Sequence, residues 1–151
     1  MTRMYDAHDI AVHGEYIHFA PKSAIESIMT SNALYGKTTR ARHGISTVDM
    51  GHGRSWNDFE WLGPADSIEF YSVEIAKKAQ NWYCLPKNLM QHPENFVAIW
   101  FLADETSIDH SDQECSAEGT LRFLETLLIS VDEAFALMGT TLSAAIASRN
   151  V

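Results

Sequence analysis

Eight consecutive apolar residues at 96–103, Phe-Val-Ala-Ile-Trp-Phe-Leu-Ala, offer no polar face to water. A membrane span needs about 20 such residues, so this run is too short to be one. Its aromatic and branched content predicts a central strand buried on both sides. The rest of the chain must then cover both faces of that strand. With 151 residues it has the length to do so as one domain.

Hydrophobic residues make up 46% of the chain and charged residues 21%, as expected of an ordinary globular protein rather than a disordered one. The net charge is −9, from 11 basic and 20 acidic side chains. Bulk attraction to nucleic acid needs the opposite sign. A nucleic-acid role would require a local basic patch or mimicry of phosphate charge. Cys84 and Cys115 are too few for a disulfide framework and read as reduced thiols. The N-terminal segment is polar and lacks the apolar stretch of a secretory signal. The expectation is a cytoplasmic protein with no membrane contact.

Tyr16-Ile17-His18-Phe19-Ala20, stopped by Pro21, reads as a strand. A short amphipathic helix follows, with Ser23 and Glu26 at capping-box spacing and Asn32 closing it. Residues 36–66 are glycine-rich and hold Arg40, Arg42, Arg54, Trp56 and Trp61, which predicts a long irregular loop with a short strand at 44–50. Residues 67–75 read as a strand. Its alternation changes phase between Phe70 and Tyr71, so either both faces are covered or a bulge intervenes. A turn at 81–86 and a short helix or loop at 88–90 follow. Residues 104–118 hold six carboxylates and no Lys or Arg, which predicts a solvated loop. Leu121, Leu124, Leu128, Val131, Phe135 and Met138 recur at helical steps, with Ser116 as N-cap and Gly139 as the residue after the end. Thr140 or Thr141 then caps a second helix ending near Arg149. The expected fold is α+β, with a small split, curved sheet, a short helix after the first strand and long C-terminal helices.

Among candidate chemical groups, His18 stands mid-strand, in register with Tyr16 and Ala20. Residues 16–36, YIHFAPKSAIESIMTSNALYG, resemble the opening of ADP-ribosyltransferase domains, where a strand histidine precedes a turn and a short helix. Residues 44–50, GISTVDM, resemble the matching stretch of the histidine–tyrosine–aspartate class of bacterial toxin transferases, with Ser46 nearest the tyrosine position. DNA-targeting DarT-like transferases, which are similar, place an arginine after the first helix.

The resemblance implies that NAD is the substrate and that His18 holds its nicotinamide ribose. It gives Asp49 the catalytic carboxylate position and Thr47 the adjoining threonine position. Arg40 or Arg42 would take the arginine's place and pair with the pyrophosphate, a task that suits a guanidinium. Glu69, or else Glu74, is an alternative carboxylate to stabilise the developing positive ribose. Trp56 and Tyr71 are candidates to stack on nicotinamide. The implied activity is that of an ADP-ribosyltransferase or NAD glycohydrolase, as in a toxin or phage-encoded effector. Its acceptor would be an unknown protein or nucleic acid.

Other readings are weaker in the residues. His8, Asp9, His13 and His18 have spacings that fit neither a helix nor a strand face, so no metal site is expected. The alternative from another class is a small acidic binding protein that presents residues 104–118 to a nucleic-acid-handling partner. The C-terminal helical segment is also a candidate homodimer surface.

Overall fold

The computed structural model describes residues 14–44, 66–110 and 115–149. Five strands form an open, curved antiparallel sheet: β1 (Glu15–Pro21), β3 (Ser67–Ser72), β4 (Phe96–Leu102), β5 (Cys115–Glu118) and β7 (Glu125–Ile129), in the order β5-β3-β1-β4-β7. β2 (Ala33–Tyr35) and β6 (Thr120–Arg122) make a separate antiparallel pair. The helices are α1 (Ile25–Ser31), α2 (Lys37–Arg42), α3 (Val73–Ala79), α4 (Lys87–Gln91), α5 (Val131–Leu137) and α6 (Leu142–Arg149). The α+β class is as expected.

Both faces of the sheet are buried over its central strands, which is why β4 needs no polar side. Ile17, Phe19, Tyr71 and Ala98 face a core completed by Val73, Trp82, Val131, Phe135 and Met138. Tyr16, Ala20, Phe70, Ile99 and Phe101 face the other, completed by Leu34, Ile108 and Leu121, with Ile25 and Ile28 of α1 against it. The phase change at Phe70 and Tyr71 is thereby explained. Each ring serves a different core, and both faces are covered. Among the described residues no helix is long and apolar enough to cross a membrane.

Several expectations are corrected. The strand at 67–75 ends at Ser72, whose side chain accepts from Ile75 N at 3.3 Å and starts α3. The β-branched Val73 and Ile75 had masked that N-cap. The glycine-rich stretch is helical at Lys37–Arg42, while residues 45–50 of the strand expected at 44–50 lie outside the described residues.

The long helix through Leu121–Met138 is replaced by β6, β7 and then α5. Ser130 is the true N-cap: its Oγ accepts from Glu133 N at 3.0 Å and donates to the Glu133 carboxylate at 3.2 Å. Ser116, expected as the cap, instead pairs within β5. The C-terminal helices are therefore short, of 7 and 8 residues. Gly139 (φ +80°) does follow α5, and Thr141 caps α6 by accepting from Ala144 N at 3.1 Å.

The acidic run is also more structured than a solvated loop. Asp104 caps a 3-10 turn by accepting from Thr106 N at 3.0 Å, and Asp109 bridges Ser116 of β5. Cys115 is buried and Cys84 half-buried, and the two are not joined in a disulfide.

Candidate functional site

The site begins where two strands part. β1 pairs with β4 along its whole length, from Glu15 opposite Leu102 to Pro21 opposite Phe96. With β3 it pairs only at Tyr16↔Ser72 and Ile17↔Tyr71. Beyond Ile17 the ladder gives way, and the next side chain takes over. His18 Nδ1 lies 2.9 Å from the Glu69 carbonyl oxygen. A carbonyl only accepts, so Nδ1 carries the proton, and in the neutral ring Nε2 is left as an acceptor. This is the split expected in the sheet.

Arg40 on α2 lies near enough for its charge to act on His18. Burial pushes the His18 pKa down to about 4. The bond to the Glu69 carbonyl opposes that shift, and the Arg40 charge adds to it. Arg40 is itself half-buried. Its Nε is inaccessible and has no hydrogen-bond partner among the described residues. Burial lowers its pKa against the pull of Asp66, and a guanidinium stays charged regardless.

Asp66 anchors α2. Its carboxylate accepts from Thr39 N at 2.8 Å and from Thr39 Oγ1 at 2.5 Å, serving as a helix cap supplied from far along the chain. Slight burial raises the Asp66 pKa, but the bonds from Thr39 and Thr38 and the nearby charge of Arg42 outweigh it and hold it low. Gly36 N donates to Gly119 O at 2.8 Å, and Gly119 N donates to Asp66 O at 3.0 Å. A side chain on Gly36 would collide with the Asp66 backbone, so the helix start, the Asp66 turn and the β5–β6 turn close on one another. Sequence reasoning missed Thr39 and Asp66. The only local signal was the helix-forming Lys37–Arg42 after a glycine.

The expected site residues divide accordingly. Arg40 lies near enough to His18 for its charge to lower the His18 pKa. Arg42 is exposed and acts on Asp66 instead. Glu69 contributes its carbonyl to His18. Its side chain alternates with Ile68 and Phe70 and so belongs to the opposite face of the sheet from His18. Tyr71 is on that opposite face too, 4% exposed, with ring centroids 6.1 Å from Phe19 and 5.6 Å from Trp82. It is a core residue rather than a surface on which nicotinamide can stack. Glu74 lies on α3, not on a strand, and pairs with Lys78 at 3.1 Å. Thr47, Asp49 and Trp56 lie outside the described residues. A shallow groove of about 300 Å³, lined by Asp104, Ser107, Arg122 and neighbours, includes neither His18 nor Arg40.

The arrangement can accept a hydroxyl proton at His18 Nε2 and pair an anion with Arg40. It also makes stability depend on acid. The unfolded chain protonates His18 near its ordinary 6.5, whereas the folded chain does so only near 4. Between those values the unfolded state binds more protons, so stability falls as pH drops through that window, by at most about 3 kcal/mol from this residue. Urea titrations at steps across the window, on the parent and on His18→Gln, should show a steeper loss for the parent. Parallel curves would refute the assignment.

Comparison with protein-family models, with curated proteins and with solved structures finds no match for the chain.

Proposed function

We propose that the chain acts on NAD, as an ADP-ribosyltransferase or an NAD glycohydrolase. The observation that carries this reading is the His18–Arg40 pair at the split between β1 and β3. It combines a neutral imidazole, whose Nε2 is left to accept, with a half-buried guanidinium whose buried Nε has no hydrogen-bond partner among the described residues. These are the two groups that a sugar hydroxyl and a neighbouring pyrophosphate require. His18 Nε2 accepts from a hydroxyl of the nicotinamide ribose, and Arg40 faces the pyrophosphate. Asp49 is the carboxylate that the resemblance assigns to the positively charged ribose.

In the reaction the bond from ribose C1′ to the pyridinium nitrogen breaks, and its electron pair leaves with neutral nicotinamide. Water, or a nucleophile on a protein or nucleic-acid acceptor, forms the new bond to C1′ and releases a proton. A toxin or phage-encoded effector is the biological setting that the resemblance suggests.

The test is direct. Purified protein incubated with NAD should release free nicotinamide, even slowly in the absence of an acceptor. NAD at a hundredfold excess over Kd should stabilise the fold by about 2.7 kcal/mol. The absence of both nicotinamide release and a thermal shift at millimolar NAD would end this reading.

A further inference from the structure

We propose that the chain forms a two-fold symmetric dimer in which β7 of one copy pairs antiparallel with β7 of a second, joining the two sheets into one. The two edges of the sheet are built differently. The outer side of β5 is closed by Asp109, which exchanges backbone bonds of 2.8 and 2.9 Å with Ser116. The outer side of β7 pairs with no strand among the described residues. Sheet edges in monomers are usually guarded by lysine, proline or a covering segment. β7 reads Glu-Thr-Leu-Leu-Ile and has neither residue.

Its leucines are exposed on both faces of the sheet. Leu127, 57% exposed, lies opposite Trp100, and Leu128, 41% exposed, lies opposite Ile99. Leu124, just before the strand, is 45% exposed. A helix laid on the sheet would cover only one of those faces. An occupant that covers both must arrive in the plane of the sheet, as a strand.

A second copy of β7 meets that requirement. With the two-fold axis perpendicular to the sheet, each residue faces one of the same parity. The register centred on Leu127 sets Leu127 against Leu127, Thr126 against Leu128 and Glu125 against Ile129. No like charges meet. A contact made through one five-residue strand from each copy is small beside the roughly 1,200–2,000 Å² of stable interfaces, so the dimer is weak. Two copies that each carry −9 also repel, so added salt strengthens the dimer. A partner held by opposite charge would respond in the reverse sense.

Sedimentation of the full chain from micromolar to near-millimolar concentration should show a monomer–dimer equilibrium that tightens with salt. Leu127→Lys, at an exposed position, should raise the dissociation constant by at least about tenfold, with the melting temperature unchanged. Leu127→Cys under mild oxidation should give a disulfide-linked dimer where the parent, with Cys84 and Cys115 alone, gives none. A monomer at all concentrations would overturn the proposal, as would a dimer indifferent to Leu127→Lys. Growth beyond two copies would overturn it. So would hydrogen-exchange protection of residues 125–129 in a monomer, which would show the chain covering its own edge.

Discussion

Alanine at position 18 is expected to lower nicotinamide release from NAD by two to three orders of magnitude, about the effect of removing one preorganised hydrogen-bonding group from an active site. The imidazole does two things in the structure. Nδ1 satisfies the Glu69 carbonyl, and Nε2 remains for a ligand. Removing the ring leaves that carbonyl short of a partner and costs about 1–3 kcal/mol of stability. The strand survives, because β1 keeps its full ladder with β4. Thermal unfolding and nicotinamide release should therefore separate, with a modest shift in the first and a collapse of the second. Activity within a few-fold of the parent would leave His18 a structural histidine and remove it from the chemistry.

Phe135→Ala is expected to produce the largest loss of stability, about 3–5 kcal/mol. Phe135 is fully buried on α5. Its ring stacks on Phe19 at 5.1 Å between centroids and meets Trp82 edge-on at 5.4 Å. It thus connects α5 to β1 and to the turn before α4. Small domains are held by only about 5–15 kcal/mol, so this cavity removes a large part of the total. Equilibrium unfolding in urea should show the midpoint falling with little change in slope. A loss under about 1 kcal/mol would mean that the surrounding side chains collapse into the space, contrary to the close packing of interiors.

What the sequence disclosed depended on how local the determining contact was. The run at 96–103 announced a strand covered on both faces, and the strand at 15–21 was equally plain, because each pattern lies within its own element. Leu121, Leu124, Leu128 and Val131 misled because spacings of three and four also arise where strands and a helix follow one another. Only the Ser130 cap on Glu133 N marks the boundary. α2 was hidden for a different reason. The carboxylate that anchors it, Asp66, stands 27 residues beyond Thr39. At the candidate site, His18 and Arg40 were named from the resemblance. The alternation of β3 already implied that Tyr71 and Glu69 would share a face, and burial decided that the face was Phe19's rather than His18's.

The strand order β5-β3-β1-β4-β7 has a consequence for how the chain acquires its fold. β1 is the first of these strands in the chain and the middle one in the sheet, yet its full-length partner ends at Leu102. No local hairpin can form around it. Refolding must first close a long loop, which places the chain among proteins of high contact order, with rates in milliseconds to seconds rather than microseconds. On the ribosome, Ile17 and Phe19 emerge long before β4. For that interval their aromatic and branched surface is available to chaperones or to a neighbouring nascent chain.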